Sequence, residues 1–334
     1  MKLSVLLSDF KHGTSHSVAF LCHDEIEKTI SKNGIAVRKL FAPLLRLIYA
    51  TQTNYKIVVD SRTPLRPTKK GKIFAINHRQ ADDIVIGANI VNKSGYIVFG
   101  NPDLVLETTN GLGLWAYGMI LLYRQRKSSR SASYKKMRYV LQNGGNVIIY
   151  PEGYWNLDDE GDADENHAAD GHNSETRLMQ DVNLGIFRLA RETGCEIVPV
   201  ALHYDEYKMT CFGKRGQAIA VGKDDDVFAK KEEYLDSMQT MLYELMEKYS
   251  HYQREEIETG KTLAEQWEEL KESLRKDCDI PRIGYQLDLQ DEKRIGKAKV
   301  ARPVALSKDV FEHLNRMEPS LQTAFLWSKS AHIC

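Results

Sequence analysis

His78 and Asp83 have the plainest chemical potential of any residues in this chain. They close the segment Ile73-Phe74-Ala75-Ile76-Asn77-His78-Arg79-Gln80-Ala81-Asp82-Asp83, where an apolar run stops and a polar cluster begins. An imidazole held by a carboxylate has a fixed tautomer and a supported imidazolium, which a general base requires. On a continuous helix a five-residue separation is about 140° of rotation, so the two side chains would diverge. They meet only if the chain turns before a helix starts, with Asn77 or Asp82 as candidate caps. A His and an Asp at this spacing also fit purely structural roles. A second run, Val147-Ile148-Ile149-Tyr150, breaks at Pro151-Glu152-Gly153. Proline ends a strand and glycine admits close backbone approach. Glu152 then projects at the same sheet edge as His78, or the tripeptide is a simple turn.

Taken together and in order, these segments resemble the glycerolipid acyltransferase family, whose best-known members are the lysophosphatidic acid acyltransferases. The family's N-H-x-x-x-x-D motif is matched by Asn77-His78 through Asp83. Its G-x-x-F-I-x-R motif is matched by Gly118-Met119-Ile120-Leu121-Leu122-Tyr123-Arg124, with Leu121 for Phe. Its P-E-G-T-R block is matched by Pro151-Glu152-Gly153, followed here by Tyr154-Trp155. Its V-P-V strand is matched by Val198-Pro199-Val200. The resemblance spans roughly residues 45 to 225.

What the resemblance implies is direct acyl transfer from a thioester to a hydroxyl. His78 takes the acceptor's proton, Asp83 orients His78, and no covalent acyl-enzyme forms. No G-x-S-x-G nucleophile elbow occurs in the sequence. The donor would be acyl-coenzyme A or an acylated carrier protein, with no bound cofactor. Arg124, Glu152 and Gly153 inherit acceptor binding, often of its phosphate, and Asn77 belongs to the same expected site. Tyr154 and Trp155 replace a bidentate phosphate ligand by flat faces suited to a sugar or an acyl groove. Asn183 stands where the family tends to carry Lys. The expected acceptor is therefore a lipid or lyso-lipid hydroxyl rather than lysophosphatidic acid itself. Two other readings suit the same residues: an inactive acyltransferase-like scaffold that binds lipid, or a metal-dependent hydrolase using an acidic loop with His167 and His172.

The elements that would position this site alternate. Apolar, β-branched runs at Tyr55–Val59, Ile73–Ile76, Tyr96–Phe99, Val147–Tyr150, Ile197–Leu202 and Ala218–Val221 predict strands. Helical patterns at Asp83–Val91, Ala132–Gln142 and Val182–Arg191 lie between most of them. The alternation predicts an α/β domain with a largely parallel sheet, over residues 53–225. Residues 1–52 are read as an N-terminal helical segment, with a helix from about Ser15 to Asn33 stopped by Gly34. A second helix, Ile35 to Thr51, carries Leu40, Phe41, Leu44, Leu45 and Ile48, flanked by Arg38, Lys39 and Arg46. It is either an ordinary docked helix or one lying in a membrane interface with its cations near anionic headgroups. Residues 226–334 are read as a helical C-terminal extension, with charged helices at Glu232–Lys248 and Glu255–Lys276.

Composition narrows the classes. Lys+Arg and Asp+Glu are 46 each, so no basic excess marks a nucleic-acid binder. A hydrophobic content of 42% excludes a disordered chain. Five cysteines without a C-x-x-C point to reduced cytosolic thiols and no zinc site. The apolar start, Met1 to Leu7, is too short for a signal peptide, and no run reaches ~18 apolar residues. The expected location is the cytoplasm, peripheral to the cytoplasmic face of a membrane. The basic stretch Arg124, Arg126, Lys127, Arg130, Lys135, Lys136 and Arg138 either meets anionic lipid, coenzyme A phosphates or an acidic carrier protein, or is a solvated helix face. Asp158 to His167 is acidic, but an EF-hand alignment on Gly161 puts His167 where a bidentate Glu belongs, so no metal is expected there.

Overall fold

The computed structural model describes residues 25–51, 53–78, 82–100, 118–123, 126–153, 179, 182–205 and 208–249. Arg124, Tyr154, Trp155, the acidic loop, the Glu255–Lys276 pattern and most of the Ser15–Asn33 pattern lie outside them.

The strands are β1 (Lys56–Arg62), β2 (Ile73–Ile76), β3 (Tyr96–Gly100), β4 (Met119–Leu122), β5 (Val147–Ile149), β6 (Ile197–Asp205) and β7 (Thr210–Arg215). They form one sheet in the order β1-β7-β6-β2-β5-β3-β4. Every neighbouring pair is parallel except β6 with β7. β2 sits centrally, and its residues alternate between two buried layers, as a parallel interior strand requires. Ile73 and Ala75 enter the layer with α4 (Lys127–Gln142), α5 (Gly185–Thr193) and α6 (Val227–Tyr249). Phe74 and Ile76 enter the layer with α3 (Asp83–Val91). Burying one such side chain is worth roughly 1.5–3 kcal/mol. Helix α6 gives Tyr234, Met238 and Leu242 to the first layer, so the core of the sheet domain runs past residue 225.

At the N-terminus, α1 (Ile26–Thr29) is a single turn, and α2 spans Lys32–Ala50. Gly34 does not stop a helix. The Gly34 N–H donates to Ser31 Oγ at 3.0 Å, so Ser31 caps α2 and Gly34 lies in its first turn. Ile35 and Ala42 are buried, and Leu45 packs against the α3 layer. The opposite face presents Val37, Leu40, Phe41, Leu44, Leu47 and Ile48 to solvent, with Leu40 75% and Leu47 67% exposed. Among the described residues no helix is long and apolar enough to cross a membrane.

Two predicted elements are corrected. Ala218–Val221 forms no named strand, only an isolated bridge between Ile219 and Ile197. The strand is β7, whose Gly213 and Lys214 break the apolar run that sequence reading seeks. Helix α4 begins at Lys127, five residues before the predicted start. Helix α3 ends against two guanidinium groups. Arg62 donates to the carbonyls of Ile90 (2.9 Å) and Asn89 (3.0 Å), and Arg215 to those of Val91 (2.8 Å) and Thr63 (3.0 Å). They satisfy the orphan carbonyls of the last turn and oppose its negative dipole end.

Candidate active site

The carboxyl end of β2 delivers Asn77 and His78, and α3 starts at Asp83. His78 Nδ1 lies 2.9 Å from Asp83 Oδ2. Asp83 is fully buried, whereas the His78 side chain keeps 12% of its surface in solvent. That is the geometry of a base exposed to substrate and supported from within. Asp82 holds the cap position of α3, but its side chain makes no capping bond there. Asn77 is not a cap either. It is buried, donates Nδ2 to Leu202 O at 3.0 Å, and accepts the Leu202 N–H on Oδ1 at 2.8 Å. It ties the end of β2 to β6.

Glu152 follows β5, the other neighbour of β2. Its carboxylate is fully buried and accepts the His78 backbone N–H on Oε1 at 2.7 Å. Sequence places Glu152 at the edge of His78; the structure adds that it grips His78's main chain. Gly153 adopts φ +86°, a left-handed conformation that glycine takes without strain, and its N–H closes the turn onto Tyr150 O at 3.0 Å. Asn183 donates to Pro151 O from its backbone (3.0 Å) and from Nδ2 (3.1 Å). The residue standing in place of a family Lys thus braces the turn. Strand β4, which leads towards Arg124, lies three places from β2.

Tyrosines complete the frame, and the motifs single out none of them. The Tyr204 hydroxyl donates to Asp83 Oδ1. The Tyr150 hydroxyl donates to Asp83 O at 2.8 Å, and its ring lies 4.5 Å from the His78 ring. Tyr55 meets Tyr204 edge-on at 5.0 Å. Sequence alternation along β6 carries the signal for Tyr204: it follows Val198, Val200 and Leu202 on the layer facing α3. Tyr150 reaches Asp83 because residue 87 is glycine; a Cβ there would stand 3.0 Å from the Tyr150 hydroxyl and 2.8 Å from Ile76 Cδ1.

Burial, with the neighbouring Asp83 charge, pushes the Asp82 carboxyl up to about 7, a Thr53 hydrogen bond acting against the rise. Among the described residues Asp82 Oδ2 has no hydrogen-bond partner. Tyr234 of α6 is fully buried, and burial with the Glu152 charge holds its phenol well above the usual value.

The fold and site together define an α/β protein with a hydrogen-bonded His–Asp pair at the carboxyl edge of a mostly parallel sheet. Residues 56–203 match the family model described as Acyltransferase. Among solved structures, the chain is similar to the 1-acyl-sn-glycerophosphate (LPA) acyltransferase PlsC from Thermotoga maritima, at 15% identity and a TM-score of 0.47, over 62% of this chain and 80% of that one. No curated protein sequence matches the chain significantly.

Proposed function

We propose that this protein moves an acyl chain from an acyl thioester, carried by coenzyme A or a carrier protein, to the hydroxyl of a lysophospholipid-like or other lipid acceptor. The His78 Nδ1–Asp83 Oδ2 contact of 2.9 Å, inside a segment matching an acyltransferase family, carries the reading. With Nδ1–H donated to Asp83, Nε2 takes the acceptor's hydroxyl proton as its oxygen attacks the thioester carbonyl. The C–O bond forms, the C–S bond then breaks, and the thiolate recovers the proton from the imidazolium. Ester and thiol are the products, and no side chain is acylated. Glu152 keeps the His78 main chain in place through the step.

The exposed apolar face of α2 supports a peripheral seat on the cytoplasmic face of a membrane. Such a surface, with Lys39 beside it, suits acyl tails below anionic headgroups. Tyr154-Trp155 and Asn183 support an acceptor without a terminal phosphate.

The test is mass spectrometry of products after mixing the protein with palmitoyl-coenzyme A and a panel of lyso-lipids and sugar lipids. One acceptor should gain an acyl chain, and His78→Ala should lower that rate by about 10²–10⁴. Near wild-type turnover in folded His78→Ala would remove His78 from the chemistry.

A further inference from the structure

We propose that Tyr204 is a positioning residue that sets the orientation and basicity of the His78–Asp83 pair; this rests on the catalytic reading of that pair. Asp83 has two carboxylate oxygens. His78 Nδ1 engages Oδ2 at 2.9 Å, and the Tyr204 hydroxyl engages Oδ1. With both oxygens engaged, rotation of the carboxylate breaks a hydrogen bond at each end. The Tyr150 hydroxyl fixes the same residue by its main-chain carbonyl at 2.8 Å. Tyr204 is placed in turn from β2: Asn77 bonds both backbone polar groups of Leu202, two residues upstream on β6. The path from Asn77 to Leu202, along β6 to Tyr204, and on through Asp83 to His78 is closed, and its hydrogen bonds cross between elements. Tyr204 is buried, with Tyr55 edge-on to its ring, so its hydroxyl is held where it is needed.

The donated bond has an electrostatic consequence. A hydrogen bond to a carboxylate withdraws part of its charge, so Tyr204 weakens the hold of Asp83 on the imidazolium. Among the described residues, the charged and titratable groups around the pair include Asp82 just before α3, Glu152 and Tyr150 at the end of β5, and Tyr204 from β6. Removing the Tyr204 hydroxyl strengthens the hold on the imidazolium and frees the carboxylate to turn.

The experiment uses the full chain carrying Tyr204→Phe, which keeps the ring contact with Tyr55. With palmitoyl-coenzyme A and the acceptor used by wild type, kcat should fall about tenfold, the size of one charged hydrogen bond, with KM unchanged. The rising limb of the pH–rate profile should move to higher pH by about half a unit. NMR of labelled histidine, with the His78 resonance assigned by its loss in His78→Gln, should show the same upward movement. This arm needs no turnover, so it tests Tyr204 even if wild type transfers no acyl group to any acceptor. 3-Fluorotyrosine at position 204, a stronger donor of nearly the same shape, should move the His78 midpoint the opposite way; this arm stands even if Tyr204→Phe does not fold. A His78 midpoint unmoved in the variants that fold overturns the proposal.

Discussion

Asp82→Asn should make the protein markedly less sensitive to rising pH between about 4 and 7. Asp82 is buried beside Asp83, and one of its oxygens has no hydrogen-bond partner among the described residues. Its carboxyl is displaced from the ordinary 3.8 to about 7. The folded state therefore keeps this proton over a range where the unfolded chain has lost it. Stability from this group is complete below about pH 3.8, declines as the pH climbs, and is fully lost above about pH 7. Over those roughly three pH units, at about 1.36 kcal/mol each, the loss approaches about 4 kcal/mol. Asparagine keeps the shape without the charge. The difference in urea unfolding free energy between Asp82→Asn and wild type should be small near pH 4.5 and grow by several kcal/mol by pH 8. Other titrating groups affect both proteins alike and cancel in that difference. A difference constant within about 0.5 kcal/mol across the range would show that Asp82 is solvated or paired when charged.

Leu44→Glu should weaken sedimentation with anionic phosphatidylglycerol vesicles, because it places a charge on the exposed apolar face of α2. Equal sedimentation of wild type and variant would move the membrane contact elsewhere. At the acceptor, wild type should favour a substrate without a terminal phosphate over its phosphorylated partner in kcat/KM, and Trp155→Arg should shift the ratio towards the phosphorylated one. A tenfold wild-type preference for the phosphorylated acceptor would refute that reading.

Much of this site is local in sequence, and that part is readable. Ile73–Ile76 is a short apolar run ending at a polar cluster, and β2 occupies those residues. The His78–Asp83 contact joins residues only five positions apart. What escapes sequence reading is long-range. Tyr204 lies 121 residues from Asp83, and Asn77 lies 125 from Leu202. Nothing near Asn77 says that its amide serves a strand end rather than a helix cap. β7 escapes for a different reason. It needs a glycine where α3 presses on it: a Cβ on Gly213 would stand 2.3 Å from Ile90 Cγ1. Tertiary packing there selects a residue with poor strand propensity.

The guanidinium groups at the far end of α3 bear on how the site ages under heat. Arg62 and Arg215 hold the last carbonyls of that nine-residue helix, while Tyr150 and Tyr204 hold its first residue. A rod fastened at both ends has little freedom to slide or fray. Asp83 then leaves His78 mainly when β1, β6 and β7 part from the helix, which means the whole domain opens. Warming such a protein does not erode its site by degrees ahead of melting. The contact between His78 and Asp83 and the fold around it should then be lost together, as a single event.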